Sequence, residues 1–367
     1  MMGPYSVVGR NLSYVGNKIK PPLKEVRNIN PPDLSERYKK LTIEKEWKEI
    51  IKLYDAIHFA TTKFMRKEGV FLFDLPITTR MISSPGALTG TIISDVKPFR
   101  IDMFNNKMFL TQSSQLYLEF AIMAPEINSV YCWEKSFRRE KADFRHLPEF
   151  LHIEFESNIN FEKNLKFQEK YYKYLIKYIL KNYKDSLFFF LTNKDIKELK
   201  QIINTNFKRI TFHEVFEKLY ENTKNKKYKK ISIKNFGAYE EVLLTDIVGG
   251  KPIFVTHYIA DEVAFYHQND KKECHLAINA DLLVPGYGEV IGSGERVHTL
   301  EEVKQKAKYF KLNLDDYEAY INSRSLKGSQ IHSGWGMGIE RFLQALLKMP
   351  FIWDVKIFPR LHNYKTP

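Results

Sequence analysis

The feature that most constrains the fold is a set of short apolar runs separated by stretches of very unequal length. Runs typical of strands lie at residues 108–111, 129–133, 150–155, 252–257 and 277–284. Helical spacing of apolar residues marks 44–68, 161–183, about 194–204 and 213–221. Strands and helices do not alternate regularly, as they would in a doubly wound parallel fold. The sequence therefore predicts an α+β fold with an antiparallel sheet flanked by helices.

Composition excludes several classes of protein. The 367 residues are 44% hydrophobic and 14% aromatic, which excludes a wholly disordered chain. Two cysteines, Cys132 and Cys274, are too few for a disulfide framework or a four-cysteine zinc site. No apolar run reaches the roughly 18 residues that a membrane-spanning helix needs, and the first residues do not resemble a signal peptide. We therefore expect a cytoplasmic protein with no membrane partner.

The net charge of +13 suits an anionic partner such as RNA or ATP. Lysine is nevertheless scattered along the whole chain, including the run KNKKYKK at 224–230. A lysine-rich solvated surface explains the charge more simply, so charge alone is weak evidence for a partner.

Residues 137–156 carry groups suited to a nucleotide-binding hairpin. Arg138 can bind two phosphate oxygens with its forked guanidinium, where charge develops during attack on phosphorus. Phe150 offers an aromatic face to a base, and Glu140 can hydrogen-bond to the amine of that base. Considered alone, a charged surface turn explains the same residues equally well.

The segment Gly334-Trp-Gly-Met-Gly-Ile-Glu-Arg341 alternates glycine along a strand and opens a helix at about 339–348. Alternate glycines clear one face of a strand, so that a flat ligand can lie against the backbone. Arg341 can then reach a phosphate or stack on a base. Dinucleotide-binding loops have similar glycines, but no parallel strand–helix–strand pattern surrounds these.

Asp281 and Glu289 flank a turn and are followed by Arg296. Two carboxylates can hold Mg²⁺ while leaving coordination sites for triphosphate oxygens. Without the other segments, a capped turn between two strands is an equally good explanation.

Together these segments resemble the class II aminoacyl-tRNA synthetases, in particular the subgroup for aspartate, asparagine and lysine. Helix 44–68 with Gly69 and Pro76 resembles their first, dimer-forming motif, residues 138–156 the second, and 334–341 the third. Residues 110–117 are similar to the amino-acid-binding segment. The resemblance spans about 34–362 and implies a homodimeric, AMP-forming ligase that uses ATP and Mg²⁺.

The resemblance also implies roles for individual residues. The catalytic residues would be Arg138, Glu289 and Arg341. ATP would be bound by Arg138, Glu140, His146, Phe150, Asp281, Glu289, Gly336, Gly338 and Arg341, and the metal by Asp281 and Glu289. The amino acid would be bound by Ser113, Gln115, Leu118, Glu154, Arg296 and Gly334.

The domain organisation follows from the extent of these motifs. Residues 1–40 are rich in proline and asparagine without periodicity, and we expect an irregular arm. Residues 41–367 would form the catalytic domain, with a helical, lysine-rich insertion at about 157–235. Because only the arm precedes the first motif, we expect no N-terminal OB barrel of the kind that reads anticodons in the family.

Two positions make the side-chain pocket similar to that of the asparagine enzymes. Leu118 stands where aspartate enzymes have a lysine that binds the substrate carboxylate, and Glu154 stands where they have aspartate. Arg296 matches an arginine that both types direct at the substrate side chain. An Arg–Glu pair without the lysine suits a group with one acceptor and one donor, such as a carboxamide.

A departure from the family pattern in the segment 83–90 favours ammonia over tRNA as the acceptor of the acyl group. Residues 83–90 contain no carboxylate, although the family has an acid there that holds the α-ammonium of the substrate. Aspartate bound in reverse, with its α-carboxylate at Arg296 and its α-ammonium at Glu154, would not need that acid. Its β-carboxylate would then face ATP, and ammonia would convert the adenylate to asparagine.

The sequence therefore leaves three functions open. The first is an aspartate–ammonia ligase, which is an asparagine synthetase similar to the truncated archaeal relatives of asparaginyl-tRNA synthetase. The second is an asparaginyl- or aspartyl-tRNA ligase, with tRNA contacted by the insertion. The third is transfer to another acceptor or a non-catalytic role, and the presence of Arg138, Glu289 and Arg341 counts against the latter.

Overall fold

The structure, a computed structural model, describes residues 37–83, 97–140, 142–229 and 237–361. The predicted arm therefore lies outside the described residues except for 37–40. The same holds for the segment 83–90, of which only Ser83 is described. The division into an arm, a catalytic domain and an insertion stays a prediction.

Within the described ranges, eight of eleven strands form one large sheet. The strands are β1 (Phe71–Leu72), β2 (Thr78–Thr79), β3 (Arg100–Met103), β4 (Asn106–Leu110), β5 (Ser129–Phe137), β6 (Glu149–Ser157), β7 (Lys208–Thr211), β8 (Ile253–Thr256), β9 (Asn279–Val284), β10 (Gly288–Glu295) and β11 (Ser333–Gly338). The large sheet has the order β1-β5-β6-β11-β10-β9-β8-β7, and β2-β4-β3 form a small second sheet. Only the edge pairs β1–β5 and β7–β8 of the large sheet are parallel. The predicted α+β fold is confirmed, with a central sheet that is antiparallel between β5 and β8.

The apolar patterns found in the sequence correspond to helices. The described helices are α1 (Arg37–Lys40), α2 (Lys45–Lys67), α3 (Gln115–Ala121), α4 (Phe161–Asn182), α5 (Lys184–Phe190), α6 (Asn193–Asn204), α7 (Phe212–Thr223), α8 (Ala238–Ile247), α9 (Leu300–Tyr309), α10 (Leu314–Ser323) and α11 (Ile339–Leu347). No helix among the described residues has the length and apolarity needed to span a membrane. The cytoplasmic location stays a prediction.

The main core lies between one face of the sheet and helices α2 and α4. Trp335 of β11 is fully buried there, with its ring stacked 5.5 Å from Phe155 of β6 and 5.1 Å from Tyr171 of α4. Successive side chains of a strand point to opposite faces of the sheet. The glycines on either side of Trp335 therefore belong to the opposite face, and this packing decides which face of β11 remains open.

A buried ion pair ties α3 to the chain that leads into β11. Glu119 of α3 accepts hydrogen bonds from the Arg324 guanidinium, from Tyr320 Oη at 2.9 Å and from His332 Nε2 at 3.1 Å. Burial raises the pKa of Glu119, but Arg324 and His332 outweigh burial and the pKa is lowered overall. Glu119 is therefore a buried carboxylate whose charge depends on Arg324.

We expect Arg324→Met to lower the free energy of unfolding by about 3 kcal/mol, because it leaves the charge of Glu119 buried with too few partners. Urea denaturation at pH 7 measures this change. As a control, Lys170→Met removes the exposed pair with Glu68 and should cost less than about 1 kcal/mol. Equal losses in the two variants would contradict the role given to Arg324.

Candidate active site

The open face of β11 forms a glycine ledge, made of Gly334, Gly336 and Gly338. A Cβ atom at Gly334 would lie 2.6 Å from Gln115 Nε2, and one at Gly336 would lie 2.6 Å from His152 Nε2. A Cβ at Gly338 would meet Arg341 Cβ at 3.7 Å. Because residues two apart on a strand are separated by about 7 Å, the ledge is about 13 Å long.

A cavity of about 480 Å³, including its open mouth, lies over the Gly336–Gly338 half of the ledge. Of the residues predicted to bind ATP, it is lined by Arg138, Glu140, His146, Phe150, Glu289, Gly336, Gly338 and Arg341. The structure thus brings together groups from the second and third motifs, which are almost 200 residues apart in the sequence.

Two arginines of the cavity differ in how they are bound. Arg341 Nη1 donates to the backbone oxygen of Glu289 at 2.8 Å and to its Oε2 at 3.1 Å. Arg138 lies over the Phe150 ring, 5.3 Å from its centroid, and its buried Nε has no hydrogen-bond partner among the described residues. A buried donor without an acceptor is costly, so Arg138 is suited to an anionic ligand.

Asp281 does not line the cavity but lies directly beside it. A Cβ at Gly292 would be 3.1 Å from Glu289 Oε1 and 3.5 Å from Asp281 Oδ1, so the two carboxylates converge there. Burial raises the pKa of Asp281 well above its usual value, and the charge of Glu289 raises it further. Burial also raises the pKa of Glu289, but Arg341, Arg145 and Arg138 lower it overall.

This donor set fits Mg²⁺ because two hard carboxylates that repel each other are compensated by a divalent cation. No group of three or more metal-ligating side chains occurs in the described part of the chain. A metal held by Asp281 and Glu289 would take phosphate oxygens and water as its other ligands. The shared metal and triphosphate site stays a prediction.

One buried ion pair of the site was not predicted. Arg145 Nη2 donates to Glu241 Oε1 at 3.0 Å, and Glu241 Oε2 accepts from Glu289 N at 2.8 Å. Arg145 stands in the second motif, so it could have been noticed, whereas α8 gave no signal for Glu241. The neighbouring His146 is held by Asp143, with Nδ1 and Oδ1 2.8 Å apart. Its contact with a phosphate stays a prediction.

The Gly334 end of the ledge is surrounded by a buried network. Arg296 Nε and Nη2 each lie 3.3 Å from Glu156 Oε2, which also accepts from Gln115 Nε2. Glu154 accepts from Ser113 Oγ and, at 2.6 Å, from Ser114 N. We call these residues, Ser113, Ser114, Gln115, Glu154, Glu156 and Arg296, the Arg296 network.

The ion-pair partner of Arg296 is Glu156, whereas Glu154, which was predicted to bind the substrate together with Arg296, accepts from Ser113 and Ser114. The contacts of Arg296 and Glu154 with the substrate stay predictions. The register of β6 against β11 places Glu156 opposite Gly334 and Glu154 opposite Gly336. Both acids point to the same face, since they are two residues apart. That alternation was visible in the sequence, but the register that distinguishes the two acids was not.

Leu118, predicted to bind substrate, is fully buried in an apolar cluster with Leu75, Val130 and Cys132. Cys132 Sγ lies 3.9 Å from Glu154 Oε2, so this cluster borders the Arg296 network. Leu118 therefore adds no polar group or charge to the network.

Known proteins share both the sequence and the fold. Residues 31–362 match the family model of the tRNA synthetases class II (D, K and N). Over 321 residues the chain is 31% identical to an asparagine–tRNA ligase of Lactobacillus johnsonii. The matched region covers 87% of this chain and 70% of that protein.

Two solved structures are also similar. The asparaginyl-tRNA synthetase of Pyrococcus horikoshii complexed with asparaginyl-adenylate has a TM-score of 0.81 and 27% identity, covering 91% of this chain and 73% of that one. The asparaginyl-tRNA synthetase of Entamoeba histolytica has a TM-score of 0.80 and 27% identity, with coverages of 93% and 74%. These findings confirm the resemblance predicted from the motifs.

We expect alanine substitutions at the two ends of the glycine ledge to differ in their effect on stability. Gly334→Ala should lower the free energy of unfolding by about 2 kcal/mol, because its Cβ would overlap the Phe155 carbonyl oxygen and Gln115. Gly338→Ala should change it by less than about 1 kcal/mol, because its nearest contacts are of ordinary van der Waals length. Thermal unfolding of both variants checks this, and similar losses would show that the ledge is not tight at Gly334.

Proposed function

Because this chain belongs to the tRNA synthetases of class II (D, K and N), we propose that it is an ATP-dependent ligase that activates asparagine as an acyl-adenylate and transfers the asparaginyl group to tRNA. The related protein of Lactobacillus johnsonii is an asparagine–tRNA ligase, and the Pyrococcus horikoshii structure contains asparaginyl-adenylate. Both favour the second function left open by the sequence. None of these relatives supports the aspartate–ammonia ligase that we predicted first.

The charge balance of the Arg296 network is the observation that supports asparagine. Arg296 is already paired with Glu156, and both side chains are buried. Burial raises the pKa of Glu156 well above its usual value, and the charge of Arg296 opposes that shift and favours the carboxylate. A substrate carboxylate placed there would lack a cation of its own, and an uncompensated buried charge is costly. A neutral carboxamide avoids this cost. The argument applies equally to the β-carboxylate of aspartate and to the α-carboxylate of aspartate bound in reverse.

The cavity residues would divide the contacts with ATP. Arg138, with its unsatisfied Nε, would bind the α-phosphate and neutralise the charge that develops during the reaction. Phe150 and Arg341 would hold the adenine, Glu140 its amine, and His146 the γ-phosphate. The carboxylate of the amino acid attacks the α-phosphorus and pyrophosphate leaves, so that AMP is released when the acyl group is transferred. Positioning along the ledge would supply much of the rate.

Asp281 and Glu289 would hold Mg²⁺. The bound ion would neutralise charge on the triphosphate. The arginines around Glu289 keep this acid ionised, as a metal ligand must be.

We expect Arg138→Met to lower asparagine-dependent ATP–pyrophosphate exchange at least about 100-fold, because the developing phosphate charge loses its cation. The control is Arg139→Met, since Arg139 is not among the described residues that line the cavity. That variant should retain exchange within a few-fold of the wild-type rate. Near wild-type exchange in Arg138→Met would overturn the assignment.

The acceptor is decided by two reactions run in parallel. One contains ATP, asparagine and tRNA, and the other contains ATP, aspartate and ammonium without RNA. We expect asparaginyl-tRNA from the first reaction and no asparagine from the second. Asparagine and AMP formed in the second reaction would instead establish the ammonia ligase and reject the tRNA ligase.

We further propose a homodimer formed through α2 and β1. Exposed apolar side chains occur on both elements and on the chain that follows, namely Ile51, Phe59, Phe71, Leu72, Phe73 and Ile77. β1 is also an edge strand of the large sheet. Apolar patches and open edges of this kind mark interaction surfaces.

Sedimentation of the wild-type protein should show a dimer at micromolar concentration, and Leu72→Asp should yield monomers because it places a charge in the interface. Leu314→Asp is the matched control, since Leu314 is 55% exposed against 62% for Leu72 but lies on α10. A monomeric wild type, or dissociation of both variants, would contradict this interface.

A further inference from the structure

His267 is a buried histidine in direct contact with the Arg296 network. Its Nδ1 lies 3.3 Å from Arg296 Nη1, and the backbones of the two residues form an isolated antiparallel bridge. Its imidazole packs against Gly294 of β10, where a Cβ atom would overlap the ring. Lys306 donates to the backbone oxygen of His267 and holds it from the other side of the chain. The end of β10 thus fixes the side chain of His267, and α9 fixes its backbone.

The contact with Arg296 determines the protonation state of His267. A guanidinium only donates hydrogen bonds, so His267 Nδ1 must be the acceptor and the proton must be on Nε2. Burial lowers the pKa of His267 well below its usual value, and the charges of Arg296 and Lys306 lower it further. The imidazole is therefore neutral at pH 7 and acts as an acceptor for Arg296.

With His267 in place, each nitrogen of the Arg296 guanidinium has a partner. Nε and Nη2 donate to Glu156, Nη1 donates to His267, and the Tyr266 ring lies 5.1 Å away. Loss of the His267 acceptor would leave one buried N–H group of Arg296 without a partner. This donor would then be available to the substrate side chain. A carboxylate brings two acceptor oxygens and a carboxamide brings one, so a carboxylate would gain more from that extra donor.

We propose that His267 is a positioning residue that sets the preference of the pocket for a carboxamide over a carboxylate, by occupying one donor of Arg296. The inference rests on the proposed function, in which the substrate side chain meets Arg296. It assigns His267 no part in the chemical step.

The test compares His267→Leu with His267→Asn. Leucine removes the acceptor, whereas the Oδ1 atom of asparagine can replace Nδ1 as the acceptor. We expect His267→Leu to lower the ratio of asparagine to aspartate affinity about tenfold, since a hydrogen bond to a charged group is lost. His267→Asn should keep the ratio within about threefold of wild type, since its acceptor is retained. Calorimetric titration measures both affinities without turnover, and the KM values from pyrophosphate exchange provide the second readout.

A double-mutant cycle tests the same idea through Gly294. Gly294→Ala should displace the imidazole and lower the ratio of affinities as His267→Leu does. In a His267→Ala background there is no ring to displace, so Gly294→Ala should have little further effect on the ratio. This cycle decides the question even if His267→Leu fails to fold. His213→Leu on α7 is the control and should leave the ratio unchanged.

The outcomes separate the two proposals. If the wild type prefers asparagine and His267→Leu weakens both amino acids equally, the inference is overturned and the proposed function stands. Additive effects of Gly294→Ala and His267→Ala would overturn it as well. If the wild type binds aspartate as well as asparagine, or binds neither, both proposals fall.

Discussion

The stack of Trp335 between Phe155 and Tyr171 orients β11, and the site depends on that orientation. With the tryptophan buried against α4, the alternate glycines must face the other way, towards β6 acids and the cavity. A flipped or shifted strand would bury the ledge and expose the tryptophan, which would lose a large apolar contact area. One face of β11 thus packs in the core, and the other face is left open to a ligand.

Buried charges around this ledge are arranged in compensated pairs. The buried pairs are Arg296–Glu156, Arg324–Glu119 and Arg145–Glu241, and Arg341–Glu289 is a partly exposed pair beside them. Such pairs keep the site ordered, because removing one partner leaves a buried charge that the interior cannot solvate. Arg138 differs, since no carboxylate among the described residues forms an ion pair with its guanidinium and its buried Nε has no hydrogen-bond partner there. The site is therefore most receptive to an anion beside Arg138 and to a neutral group beside Arg296.

That contrast separates the two ends of the proposed reaction. The triphosphate end combines cations with an acid pair able to hold a metal, as a reaction at phosphorus requires. The amino-acid end has two buried acids, Glu154 and Glu156, and one guanidinium, that of Arg296, so it has no cation left for a substrate carboxylate. The same electrostatic argument disfavours aspartate in either orientation, and it agrees with relatives that are asparagine–tRNA ligases.

The amino-acid sequence by itself determined the fold class, the helices with clear apolar spacing, the glycine ledge and most residues of the cavity. These features are local patterns, and a strand or helix imposes its period on the chain wherever it occurs. Only the tertiary structure decided which buried groups are partners: Glu156 and not Glu154 for Arg296, Glu241 for Arg145, and His267 as the acceptor beside Arg296. Arg296 and Glu156 are 140 residues apart, and Arg145 and Glu241 are 96 apart. Their contacts depend on strand register and helix packing, which no local pattern of residues specifies.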